Sequence, residues 1–208
     1  MIAIIDYGMG NLRSVSKALE LLGYETEVTR DAKRIADADH VILPGVGAFG
    51  AAMENLRKFE LVDVVKDVAA SGKPFMGICL GMQLLLDEST EQGNYKGLGI
   101  IPGKVIKFFK ESDTNPHTAA LKIPHMGWNS IHIEKPAPVL RDISDNSMVY
   151  FVHSYYVVPE ADVVAVTTEH GIPFCAAIWK DNIFATQFHP EKSGNVGLKM
   201  LKNFAEAK

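Results

Sequence analysis

Gly77-Ile78-Cys79-Leu80-Gly81-Met82-Gln83 follows a short apolar run, Pro74-Phe75-Met76, and leads into Leu84-Leu85-Leu86-Asp87-Glu88. The run predicts the start of a buried strand, and the stretch after the heptad predicts a helix. A cysteine between two glycines at a strand-to-helix turn is the thiol form of a nucleophile elbow. Glycine suits both flanking positions because the turn is tight and neighbouring backbone passes where a Cβ would clash. The turn presents the Cys79 sulfur at the strand's carboxyl end, over a helix N-terminus whose free N–H groups and dipole favour a thiolate. The N–H of Leu80 then points to where an oxyanion would form. The competing reading is a buried structural cysteine in an α/β sheet, and the rest of the chain has to separate the two.

Upstream of the elbow, the pattern alternates. Ile2 to Ile5 is continuously apolar, as a strand buried on both faces would be. A Gly/Asn turn follows, then a helix over Leu12 to Leu22 with Val15, Leu19 and Leu22 on one face and Gly23 where a C-cap belongs. The turn reads Gly8-Met9-Gly10-Asn11-Leu12-Arg13, a dinucleotide fingerprint without its third glycine, so a nucleotide site there rests on a partial motif. Tyr24 to Thr29 predicts a second strand and Val41-Ile42-Leu43 a third, which runs into Pro44-Gly45-Val46-Gly47-Ala48-Phe49-Gly50. A glycine-rich loop at a strand's carboxyl end is where open α/β sheets place ligands, although a plain βα loop also uses one such glycine. Ala51 to Lys58 and Leu61 to Ala70 read as helices. The order β-α-β-β-α-β-α over the first ninety residues predicts a doubly wound, mainly parallel or mixed sheet with helices on both faces. The loops after Ile5, Leu43 and Ile78 then gather at one edge.

Downstream the character changes. Glu91 to Gly103 is glycine-rich and loop-like, Val105 to Phe109 a short strand, and Lys110 to Ala120 a polar, exposed loop. Ile123 to Ile133 holds the loop Pro124-His125-Met126-Gly127-Trp128-Asn129 and an alternating strand; Val149 to Val158, Val163 to Thr168, Phe174 to Trp179 and Ile183 to Phe188 read as further strands. They predict an added antiparallel region, closed by a helix bearing Val196, Leu198, Leu201 and Phe204. No repeat or linker splits residues 1–208, so a single domain is expected.

The bulk properties narrow the function classes. A 47% hydrophobic, 22% charged chain of 208 residues is ordinary for a globular domain with a large core. A net charge of −4 without a basic run argues against nucleic acid or anionic membrane as partner. Two cysteines, Cys79 and Cys175, make no disulfide framework, and no Cys/His spacing suits zinc; neither metal nor cofactor is expected. Ile2-Ala3-Ile4-Ile5 is interrupted by Asp6 too soon for a signal peptide, and no apolar stretch reaches membrane-spanning length, so a cytoplasmic enzyme is expected.

A cysteine hydrolase needs a base and a group that orients it. His189 closes an apolar strand, Pro190 stops the ladder there, and Glu191 lies two residues on, on the same side if the chain stays extended. By itself His-Pro-Glu also suits a solvated turn. His153 stands out among the remaining histidines because it sits in Tyr150-Phe151-Val152-His153-Ser154-Tyr155-Tyr156, a run that core packing would also explain. His125 and Trp128 share a polar, aromatic loop that suggests a contact surface.

The elbow, the loop Pro44-Gly45-Val46-Gly47 and the late Gln187-Phe188-His189-Pro190-Glu191 together resemble the class I (triad) glutamine amidotransferases, in order and over nearly the whole chain. Asp6 to Leu12, Lys122 to Asn129, Tyr150 to Tyr156 and Glu191-Lys192-Ser193 are similar to glutaminase subunits that serve the imidazole-forming cyclase of histidine biosynthesis. The stretch Ser112 to Thr118 matches least. The resemblance implies a Cys79–His189–Glu191 triad that hydrolyses L-glutamine to glutamate and ammonia through a thioester. It implies an oxyanion site from Leu80 and the Val46-Gly47 loop, and glutamine binding by Gly45, Val46, Gly47, Gln83 and the backbone around His153, Ser154 and Tyr155. The acceptor is then a (β/α)8-barrel cyclase, held as a heterodimer near Tyr150, Lys192, His125 and Trp128. That cyclase would make imidazole glycerol phosphate and aminoimidazole carboxamide ribonucleotide. Rival readings are the glutaminase of anthranilate or aminodeoxychorismate synthase, a stand-alone cysteine hydrolase of the γ-glutamyl hydrolase or DJ-1-like kind, and a flavodoxin-like binding module.

Overall fold

The computed structural model describes residues 1–109 and 121–207; the stretch Lys110 to Ala120, read above as an exposed loop, lies outside them. The first half is the alternation that the apolar runs require: β1 (Ile2–Ile5), α1 (Leu12–Leu21), β2 (Thr26–Thr29), α2 (Ala32–Asp37), β3 (His40–Gly45), α3 (Phe49–Lys58), α4 (Leu61–Ala70), β4 (Phe75–Cys79) and α5 (Leu80–Leu84). The second half supplies β5 (Leu86–Ser89), β6 (Tyr95–Lys96), β7 (Ile101–Lys107), β8 (His125–Ser130), β9 (His132–Ile133), β10 (Met148–His153), β11 (Tyr155–Pro159), β12 (Val164–Glu169), β13 (Pro173–Lys180), β14 (Ile183–Thr186) and α6 (Gly194–Ala205).

Strand order in the main sheet is β2-β1-β3-β4-β14-β13-β11-β7-β5-β6. From β2 to β14 every pairing is parallel, and antiparallel pairings begin where β13 joins β14. The parallel strands are apolar at consecutive positions because both of their faces are covered. Ala3 and Ile5 pack under α2, α3 and α4 with Ile35, Met53, Leu56 and Val65. Ile2 and Ile4 pack on the other side, under α1 and α6, with Leu19, Leu201 and Phe204. Each fully buried Ile, Leu, Val, Met or Phe among them contributes about 1.5–3 kcal/mol. Helices on both faces, the parallel core and the antiparallel extension agree with the sequence reading.

Three local expectations are overturned. Leu84 to Glu88 is not helical beyond Leu84, since Leu86–Ser89 is strand β5. Leu86 and Ser89 are buried there while Asp87 and Glu88 are exposed, and β5 pairs with β6 and β7. Val149 to Val158 is two strands, not one. The chain turns at Ser154, so that β10 pairs with β8 in a separate two-stranded ribbon and β11 enters the main sheet. Helix α2 was absent from the sequence reading; it is short, and it is signalled by Asp31, whose side chain accepts from the N–H of Arg34 as an N-cap.

Candidate active site

Because β1, β3, β4 and β14 run parallel, the loops leaving their carboxyl ends meet at one edge. There the loops after β3, β4 and β14 help to wall a cavity of about 390 Å³, to which the loop after β1 contributes no residue. Val46 and Gly47 come from the loop after β3, Cys79 and Leu80 from the elbow, Gln83 from α5 and His189 from the segment after β14. Val152 to Tyr155, where β10 passes into β11, close the far side. Gly45 stands behind this wall, paired with Cys79 across β3 and β4.

The elbow is as tight as its glycines imply. Cys79 has φ 55° and ψ −109°, a conformation that costs a non-glycine residue about 1–3 kcal/mol and is held by its surroundings. A Cβ on Gly81 would run into the Leu43 carbonyl, so α5 can pass β3 this closely only with glycine there. Gly47 sits at φ 101°, the left-handed region that favours glycine.

His189 and Glu191 are brought together by a turn rather than by an extended chain. Pro190–Lys192 form a single 3-10 turn, which folds the Glu191 carboxylate back so that Oε1 lies 2.8 Å from His189 Nδ1. The two side chains are 2% and 1% exposed. Burial pulls the imidazole's pKa down, but hydrogen bonding and charge from Cys79 and Glu191 outweigh it and push it up to about 10. Cys79 thus acts on the ring although His189 Nε2 makes no aligned hydrogen bond and is buried unpaired. An unpaired ring nitrogen on the thiol side is the arrangement of a base that tightens its contact only when substrate is bound.

The backbone of His189 is held as firmly as its ring. Its N–H donates to the Tyr150 carbonyl at 2.9 Å. Ser193 Oγ donates to the His189 carbonyl at 2.6 Å and accepts from the Tyr150 N–H at 3.0 Å. Strand β10 is therefore tied to the candidate base by one direct bond and by a two-bond relay through Ser193.

Residues expected at a partner surface divide between the two faces of the β8–β10 ribbon. Trp128 is 53% exposed, Met126 62% and Met148 47%, all on the outer face. Tyr150 lies beside Trp128 with ring centroids 6.2 Å apart, and Lys192 Nζ is 6.0 Å from the Tyr150 ring. His125 does not belong to this surface. The two-residue period of β8 turns it inward, where it is 6% exposed and its Nδ1 lies 3.0 Å from His153 Nε2. Burial lowers the pKa of His125 to about 4 and that of His153 to about 3, so both rings are neutral.

Sequence reasoning missed Glu91, which lines the cavity and whose Oε2 accepts the Phe49 N–H at 2.7 Å. The signal was indirect: α3 starts at Ala48-Phe49 without a capping side chain of its own, so its first N–H groups need an acceptor from elsewhere. Among the described residues, no cluster of three His, Cys, Asp or Glu side chains is placed to hold a metal ion, and no helix is long and apolar enough to cross a membrane.

A strained cysteine, an imidazole held by a buried carboxylate and a cavity lined by Gly47 and Leu80 can carry out acyl transfer from an amide. The family model described as glutamine amidotransferase class-I matches residues 3–207, and the chain belongs to that family. Within it, curated relatives are named imidazole glycerol phosphate synthase subunit HisH. One from Syntrophotalea carbinolica is 55% identical over 99% of this chain and 100% of its own length. Another from Methanocaldococcus jannaschii is 50% identical over 99% of each. The fold is also that of PurLQS from Thermotoga maritima, with TM-score 0.76, 19% identity and coverage of 99% of this chain and 97% of that one.

Proposed function

We propose that this chain is the glutaminase subunit of an imidazole glycerol phosphate synthase, releasing ammonia from L-glutamine for a (β/α)8-barrel cyclase in histidine biosynthesis. The observation that carries the chemistry is the buried His189–Glu191 pair beside Cys79 at the cavity wall. The full-length likeness to the relatives named above supports the pathway. The Cys79 thiolate attacks the side-chain carbonyl of glutamine, and the N–H groups of Leu80 and the Val46-Gly47 loop take the oxyanion. His189, which holds its proton at neutral pH, gives it to the departing ammonia while Glu191 keeps the ring in place. Water then cleaves the thioester and glutamate leaves. Gln83, Ser154 and Tyr155 shape the glutamine site, and Glu91 meets the substrate's ammonium with the carboxylate oxygen that Phe49 does not use.

The outer face of the β8–β10 ribbon, with Trp128, Tyr150 and Lys192, is the cyclase-facing surface in this reading. The bonds from Tyr150 to His189 and Ser193 connect that surface to the base. Release of glutamate by the purified chain tests the function: alone, with the cyclase, and with cyclase plus its nucleotide ligand, against Cys79→Ser. Low release alone that rises with partner and ligand, and is abolished by Cys79→Ser, is expected. Release that survives Cys79→Ser removes the proposed nucleophile, and high release alone with no response to the cyclase points to a stand-alone hydrolase.

A further inference from the structure

Gln187 is wholly buried, and its amide nitrogen lies 3.6 Å from the Cys79 sulfur. A primary amide has a donating end and an accepting end, and the end that faces a thiol decides whether it favours the anion or the neutral form. Neighbouring groups settle that orientation without reference to the sulfur. The Tyr155 carbonyl can only accept, and it lies 3.0 Å from the Gln83 amide and 2.8 Å from His153 Nδ1. Gln83 must therefore present its –NH2 to Tyr155, and His153 must carry its proton on Nδ1. The second N–H of Gln83 then reaches Gln187 Oε1 at 2.9 Å, which turns the Gln187 –NH2 to Cys79. On the other branch, His153 Nε2 is left to accept from His125 Nδ1 at 3.0 Å. His125 Nε2 in turn accepts from the Asn129 amide at 3.2 Å. The direction of every bond in the row follows from one backbone carbonyl.

We propose that Gln187 is a positioning residue for the nucleophile: its N–H, aimed by the Tyr155 carbonyl through Gln83, holds the Cys79 sulfur and favours its anionic form. The inference rests on Cys79 being the nucleophile. Gln187 is not on the cavity wall, so it acts on the sulfur and not on the substrate. Rotated the other way, its oxygen would accept from the S–H and favour the thiol, but that would set the Gln83 oxygen against the Tyr155 carbonyl. Charge-assisted hydrogen bonds are the stronger kind, so one N–H matters more to the anion than to the thiol.

The test is the rate of Cys79 alkylation by iodoacetamide as a function of pH, in the full chain without glutamine, with Cys79→Ser as blank. Gln187→Leu removes the donor. Gln187→Glu keeps an acceptor for Gln83 and sets negative charge against the sulfur. The expected result is a profile displaced to higher pH, with alkylation near neutrality lowered about tenfold in Gln187→Leu and further in Gln187→Glu. The high-pH plateau is unchanged. Gln83→Met, which leaves Gln187 in place but removes the N–H that orients it, moves the profile the same way and serves where a Gln187 variant does not fold. Profiles that coincide with wild type in folded variants overturn the proposal. Glutamate release that survives Cys79→Ser overturns the nucleophile assignment instead, and the two failures are read in separate assays.

Discussion

His189 Nδ1 and Glu191 Oε1 are 2.8 Å apart across one 3-10 turn, and the other oxygen of that carboxylate and the other nitrogen of that ring are both buried without partners. The ring is thus oriented from one side only, and the free nitrogen is left for chemistry. Glu191→Gln keeps the shape but removes the charge that stabilises the imidazolium. Its amide also permits the tautomer that turns a lone pair toward residue 191. The expected result is a fall in kcat for glutamate release of about 10²–10⁴-fold, with little change in KM. The sign of the pH effect on stability follows from the raised pKa. The His189 contribution is complete below the ordinary imidazole value of 6.5 and is lost as pH rises through about 10. Thermal melts should therefore decline in wild type from about pH 6.5 to about 10, while in Glu191→Gln the decline is smaller and ends at lower pH.

Burial makes the opposite prediction for the inner face of the β8–β10 ribbon. His125 and His153 stay neutral in the fold down to about 4 and about 3, while the unfolded chain protonates near 6.5. Stability is complete above pH 6.5 and falls as pH drops from there toward 4, because the unfolded state binds more protons. Melting temperature measured across that window should show a steeper acid slope in wild type than in His125→Asn, which removes one of the two titrating rings. Equal slopes would show that His125 takes up its proton in the fold as readily as in the unfolded chain.

Legibility in the sequence followed locality. Cys79 with its flanking glycines, the parallel strands with both faces covered and the early helices are written in short windows, and each is where its window places it. What was missed depends on distant partners. Leu84-Leu85-Leu86 is apolar enough for helix or strand, and pairing with β6 and β7 decided for strand from Leu86 onward. The turn at Ser154 splits the largely apolar and aromatic run Val149 to Val158 because its halves join different sheets. His125 lies in a loop-like hexapeptide, and only its strand register shows that it faces inward while Trp128 faces out. Gln187 and Glu91 could not be placed from local pattern at all, since their contacts come from 108 and 42 residues away.

Trp128 offers a test of the ribbon's outer face. It is half exposed, with the Tyr150 ring centroid 6.2 Å away, so truncation should leave the fold within about 0.5 kcal/mol of wild type. Aromatic residues at the centre of an interface commonly carry about 2 kcal/mol or more. Trp128→Ala is expected to weaken binding of the barrel cyclase at least about 30-fold by calorimetry, with an unchanged melting temperature. Undiminished affinity would place the cyclase on another surface.

Glu91 separates binding from chemistry. One carboxylate oxygen holds the first N–H of α3, and Glu91, in the loop between β5 and β6, also lines the cavity that Cys79 lines. A charge contact from Glu91 to glutamine's ammonium, remote from the scissile amide, would act equally in ground state and transition state. Glu91→Gln keeps an oxygen for Phe49 and loses the charge. KM for glutamine should rise about 10–100-fold while kcat stays within about twofold, because the interaction lost is a uniform one. Hydrolysis of an analogue lacking the α-amino group should be equally slow in both proteins. A drop in kcat with KM unchanged would instead assign Glu91 to the shape of the Gly47 loop, whose following helix it caps.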